Sequence, residues 1–127
     1  SVGRISPSVK TNVSSSAACG GELNAPSGTI SSPNYPNLYP HSRVCRWELR
    51  VQAGRRITLT IDDLRLEAHS SCVYDGVKIY NLASRNTPLA TLCGSTVPGP
   101  FLTFGPMLLH FYSDSVITDR GFMAEYR

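Results

Sequence analysis

The sequence predicts an all-β protein, a sandwich of two antiparallel sheets. Three observations carry that reading. Every strong apolar periodicity after Cys19 has a period of two, and none has the helical period of about 3.6. Clusters of Gly, Pro and Asn cut these stretches into short strands. Four cysteines, none in a Cys-x-x-Cys pair, point to disulfides formed in an oxidising compartment. Short strands with one apolar face bury it by packing two sheets together.

The elements follow in order. Ser1 to Ala18 is rich in Ser, Thr, Val and Pro, has no apolar period, and reads as a flexible linker ahead of a folded domain over 19–127. It contains Asn12-Val13-Ser14, the one N-glycosylation acceptor, so Asn12 is expected to carry a glycan if exposed in the secretory route. Cys45, Trp47, Leu49 and Val51 alternate with Arg46, Glu48, Arg50 and Gln52, which predicts the first strong strand. Ile57, Leu59 and Ile61 alternate with threonines in the second. Val77 and Ile79 alternate with Lys78 and Tyr80, and Leu109 and Phe111 with His110 and Tyr112. Phe122, Ala124 and Tyr126 close the series. Pro33-Asn34, Pro36-Asn37, Ala53-Gly54, Pro98-Gly99-Pro100 and Gly105-Pro106 supply the turns.

The 127 residues suit one domain with a sizeable core. A net charge of +3 is too small to imply nucleic-acid binding, and no apolar run is long enough to span a bilayer. With no signal peptide at its start, the sequence reads as a module of a larger secreted or membrane-anchored protein. Four cysteines allow three connectivities. The local one, Cys19–Cys45 with Cys72–Cys93, closes two loops of moderate length and is the expected pairing. A zinc site is the alternative, but the spacings match no common finger.

Acids cluster around one of these cysteines. Glu67 and Asp75 flank Cys72, and Asp114 follows the apolar strand ending at Tyr112. No Lys or Arg lies within either segment, so the three would repel one another if folding gathered them. A hard cation is the usual remedy, because calcium takes oxygen ligands from carboxylates, backbone carbonyls and water.

Several blocks together resemble a known family. Cys19-Gly20-Gly21, Gly28 through Pro36, Tyr39-Pro40 and Cys45-Arg46-Trp47 are similar to the opening of a CUB domain. Cys72-Val73-Tyr74-Asp75-Gly76-Val77, Leu92-Cys93-Gly94, Phe111-Tyr112-Ser113-Asp114 and Gly121 through Tyr126 continue the resemblance in order. It implies a jelly-roll-like β-sandwich with two disulfides, acting as an extracellular protein-interaction module. Carried over from the calcium-binding subset, it implies ion ligation by Glu67, Asp75 and Asp114 with the carbonyl of Val116, supported by the Tyr39 hydroxyl. In that subset a partner's Lys or Arg seats on the acids and the tyrosine.

Other residues have competing readings. His69 lies between Glu67 and Cys72; protonated, it would favour release of a basic ligand, whereas an exposed loop histidine has no role at all. Arg43, Arg46, Arg50, Arg55 and Arg56 form a candidate surface for sulfated glycans, or else pair with Glu48 and neighbouring acids. Trp47 falls on the apolar side of its strand and is expected in the core. An enzyme is not expected: there is no Gly-x-Ser-x-Gly elbow and no His-Glu-x-x-His helix.

Overall fold

A computed structural model describes residues 19–52 and 54–127. The expected linker, and Asn12 within it, lie outside the described residues. The strands are β1 (Gly21–Leu23), β2 (Gly28–Ser31), β3 (Val44–Leu49), β4 (Ile57–Arg65), β5 (Gly76–Asn81), β6 (Ala90–Leu92), β7 (Phe101–Thr103), β8 (Met107–Tyr112) and β9 (Gly121–Tyr126). They form one sheet in the order β1-β3-β8-β5-β6 and another in the order β2-β9-β4-β7. No helix among the described residues is long and apolar enough to cross a membrane.

The alternation read from the sequence is the alternation that packs. Cys45, Trp47 and Leu49 of β3 face Val77, Ile79, Leu109 and Phe111 of their own sheet's inner side and Ile57, Leu59, Phe122 and Ala124 of the other. Trp47 meets Phe122 edge-on at 5.8 Å across the sandwich, which is the core role expected of it. Phe111 and Phe122 join the two sheets at a centroid distance of 5.8 Å. Each such ring buried is worth about 3 kcal/mol of transfer free energy.

One pairing departs from the expected antiparallel pattern. β1 runs parallel to β3, with Gly21 opposite Trp47 and Leu23 opposite Leu49. The chain leaves β1, crosses to the other sheet as β2, and re-enters the first sheet in its original direction. Such a crossover is what parallel neighbours require.

A second irregularity bears on the site. Ile57, Leu59 and Ile61 of β4 are buried, but the pairing with β9 shifts between Ile61 and Asp63. Beyond this bulge the buried residues are Leu64 and Leu66, so the inward phase has moved by one residue. Asp63 is turned aside, where it accepts two bonds from the Arg120 guanidinium at 2.8 and 2.9 Å and one from the Tyr35 hydroxyl at 2.5 Å. Those donors, Arg120 first, hold its carboxyl below the usual range.

Both disulfides join the expected partners, Cys19 to Cys45 and Cys72 to Cys93. With sequence separations of 26 and 21 residues, each removes about 3 kcal/mol of chain entropy from the unfolded state.

Candidate functional site

Three loops at one end of the sandwich carry the acids. Glu67 follows β4, Asp75 immediately precedes β5, and Asp114 lies just beyond β8. Because β5 and β8 are antiparallel neighbours with Gly76 opposite Tyr112, Asp75 and Asp114 emerge side by side. One carboxylate oxygen from each of Glu67, Asp75 and Asp114 lies within 4.8 Å of the other two.

Asp75 is the buried centre of the group. Its Oδ1 accepts the Asp114 backbone N–H at 2.8 Å, and its Oδ2 accepts the Tyr39 hydroxyl. The Tyr39 oxygen in turn accepts the Glu67 N–H at 3.3 Å, so one phenol touches two of the three acidic loops. Asp114 Oδ1 accepts the Val116 N–H at 3.2 Å, which brings Val116 into the rim with its side chain exposed. Glu67 Oε1 is shielded from solvent and has no hydrogen-bond partner among the described residues.

The electrostatics are those of an uncompensated cluster. Burial first, then the Asp114 and Asp75 charges, push the Glu67 carboxyl up from its ordinary value. Burial likewise pushes Asp75 up, against the opposing pull of the Tyr39 hydroxyl and the Asp114 N–H. Burial and the Asp75 bond raise Tyr39, keeping it a phenol and a donor. A shielded, unpartnered carboxylate oxygen beside two more carboxylates is a donor set that fits a hard dication.

Further contacts hold the loops. Ser113 Oγ donates to the Pro40 carbonyl at 2.8 Å and accepts the Arg43 N–H at 3.0 Å, while the Ser42 N–H reaches the Asp114 carbonyl at 2.8 Å. The Leu66 N–H bonds to the Gly94 carbonyl at 2.9 Å, next to the Cys72–Cys93 bridge. The Tyr112 hydroxyl donates to the Cys72 carbonyl, passing over Gly76, where a Cβ would collide with it. Sequence reasoning assigned no role to Ser113, Tyr112 or Gly76. Their contacts depend on cross-strand register, which alternation alone does not set.

His69 sits on the Glu67–Cys72 loop, accepting the Ser71 N–H at Nδ1 at 3.0 Å with its ring against the Tyr74 edge at 4.7 Å. Its position pulls the Glu67 carboxyl down, against the stronger upward push of burial and the two aspartates. The five arginines do not form one surface. Arg50 lies past the end of β3 and pairs with Glu48 at 3.0 Å; Arg46 is on the outer face of β3; Arg43 borders the acid-bearing loops. Arg55 and Arg56 line a cleft with Phe104 and Arg127 at the opposite end of the sandwich from the acids.

Residues 19–126 match the CUB domain family model. The chain belongs to the CUB domain family. This CUB domain is 49% identical over 116 residues to a cubilin from Canis lupus familiaris, covering 89% of the chain and 3% of that protein. It is 37% identical over 112 residues to tolloid-like protein 1 from Mus musculus, covering 87% of the chain and 11% of that protein. The chain therefore spans only a small part of the curated relatives it matches. Among solved structures, the MASP-1 CUB2 domain bound to Ca2+ superposes with a TM-score of 0.77 at 32% identity, covering 87% of this chain and 99% of that one. CUB domains are protein-interaction modules of extracellular proteins.

Proposed function

We propose that this CUB domain is a calcium-dependent, non-catalytic interaction module that binds a Lys or Arg side chain of an extracellular protein partner. The observation that carries the reading is the triad itself: three carboxylates within 4.8 Å, one with a shielded oxygen that has no hydrogen-bond partner among the described residues. Glu67, Asp75 and Asp114 would hold the ion, with the Val116 carbonyl as the expected backbone ligand. Bound calcium supplies positive charge that offsets the mutual repulsion of the acids.

The chain's own residues do the rest. Tyr39 fixes Asp75 through its hydroxyl and Glu67 through its amide, so the loops are aligned before any partner arrives. Three carboxylates and one dication leave a net charge near −1 on the rim. An incoming ammonium or guanidinium can form charge-assisted hydrogen bonds to carboxylate oxygens not used by the metal. His69, beside Glu67, is placed to weaken that contact when protonated. The calcium-bound MASP-1 relative supports the assignment of the ion.

Titrating calcium into the metal-free domain while following melting temperature and amide NMR shifts tests this. The expected result is stabilisation with a Kd on the order of 10⁻⁴ to 10⁻³ M, shifts centred on Glu67, Asp75 and Asp114, and capture of a Lys-rich peptide that EDTA reverses. Peptide capture indifferent to EDTA would overturn the mechanism.

A further inference from the structure

We propose that the end of the sandwich opposite the acids is a second binding site, for an oxyanion carried on an aromatic ring, as in a sulfated tyrosine of an extracellular partner protein. Arg55, Arg56 and Arg127 line one cleft there together with Phe104. All nine Asp and Glu of the chain lie among the described residues, so every possible counter-charge has a known place. The ion pairs use Glu22, Glu48 and Asp63, and none reaches Arg55, Arg56 or Arg127. Glu125, two residues before Arg127 and exposed like it, makes no ion pair with it either.

The backbone sets this arrangement. Arg55 and Arg56 leave a tight turn, closed by the Arg55 N–H on the Gln52 carbonyl at 3.2 Å, with Gly54 at a φ of 82°. Arg127 and Thr58 exchange both backbone bonds, at 2.7 and 3.0 Å, which holds Arg127 alongside the start of β4. In β7 Thr103 is buried, so Leu102 and Phe104 on either side of it point outward. The Thr103 hydroxyl donates to the Gly105 carbonyl at 2.8 Å and fixes the turn that follows Phe104.

The walls specify the occupant. Phe104 is 77% exposed, more than any other large apolar side chain among the described residues. It stands between the cationic cleft and an adjoining one that Arg55 lines with Val51 and Pro106. A ring laid on Phe104 with its charged end toward Arg56 and Arg127 uses both clefts at once. The guanidinium fork pairs bidentately with oxyanions, and aromatic pairs gain beyond the area they bury. An Asp or Glu side chain would reach the guanidinium groups but leave Phe104 and Leu102 uncovered. A sulfated glycan carries its charges in a line along polar rings, whereas these cations line one cleft beside apolar surface. Sulfated tyrosine is the aryl oxyanion made in the secretory route, which suits a module of extracellular proteins.

Glu67 lies past the far end of β4, whose nine residues span about 30 Å. The two sites therefore fill independently, and this inference does not rest on the calcium reading.

The test uses the whole chain in EDTA and a fluorescent peptide with one sulfotyrosine between glutamates, followed by anisotropy at fixed salt. Expected is binding about tenfold or more tighter than that of the same peptide with plain tyrosine. Added calcium should not change it, and amide shifts should centre on Gly54, Arg56, Phe104 and Arg127. Arg56→Gln with Arg127→Gln should abolish the preference for the sulfated peptide, and Phe104→Ser should weaken its binding about threefold or more. Arg46→Gln with Lys78→Gln, on the other sheet, should leave it unchanged. If the first pair of changes unfolds the domain, Arg55→Gln with Arg56→Gln serves instead. Equal affinity for the two peptides, full binding by the arginine variants, or full binding by Phe104→Ser would overturn the proposal. So would inorganic sulfate that competes as well as the peptide, or a heparin fragment that binds more tightly at equal sulfate, which would assign the cleft to a glycan.

Discussion

The Tyr39 hydroxyl donates to Oδ2 of Asp75, and neither residue is more than 1% exposed. The same phenol ring packs edge-on against Phe111 at 5.5 Å. One side chain therefore belongs to both the hydrophobic core and the acidic rim, and rim geometry is tied to core packing.

Replacing Tyr39 with Phe tests that tie. The ring contact with Phe111 survives, but Asp75 loses a donor and the Glu67 N–H loses an acceptor. A buried group left unsatisfied costs about 1–3 kcal/mol. The urea midpoint of Tyr39→Phe should fall accordingly and its calcium affinity should drop. An unchanged midpoint with an unchanged affinity would show that the hydroxyl contributes nothing to the rim.

Stability should depend on pH in opposite ways with and without calcium. In the metal-free domain the folded pKa values of Glu67 and Asp75 are raised above their ordinary values of 4.5 and 3.8. The folded state then binds protons more readily than the unfolded state, so stability rises as pH falls through the raised values toward the ordinary ones. Calcium requires both groups ionised, so in saturating calcium acidification over the same range should destabilise. Melting curves in EDTA and in calcium between pH 7.5 and 5 check the two slopes, and Glu67→Gln should flatten the EDTA slope.

Five strands and the acid set were legible because they rest on patterns that survive without register. Leu59, Phe111 and Phe122 sit where alternation puts them, and the acids stand beside recognisable cysteine and serine positions. Strands β1, β6 and β7 were not legible, because three residues are too few to show a period. β2 escaped notice because Ile30 is its one buried residue. The parallel β1–β3 pairing depends on a crossover that no local signal announces. The arginines were grouped by proximity in the chain: Arg46 and Arg50 do lie either side of Glu48 on one face, but Arg55 and Arg56 lie with Phe104 and Arg127 at the end of the sandwich away from the acid set.

The two disulfides should separate stability from metal binding. Their loops are of similar length, so replacing either pair with serine should cost about 3 kcal/mol. Only Cys72–Cys93 braces the segment between Glu67 and Asp75, through Leu66–Gly94 and Tyr112–Cys72. Cys72→Ser with Cys93→Ser should therefore weaken calcium binding by much more than Cys19→Ser with Cys45→Ser. Calorimetric titration of both variants, at a temperature where each remains folded, makes the comparison.

The irregularity in β4 has a consequence for how this domain tolerates changes in length. The odd-numbered residues face inward before Asp62 and the even-numbered ones after it, so the bend holds one residue more than a regular pleat needs. Removing that residue would restore an uninterrupted pleat with Leu64 and Leu66 still inward and Glu67 on its present side. Removing one residue between Leu64 and Glu67 would instead turn Glu67 to the other side. Insertions in the turns and loss of the bulge residue can be absorbed; a single deletion past the bulge would carry the Glu67 carboxylate away from Asp75 and Asp114.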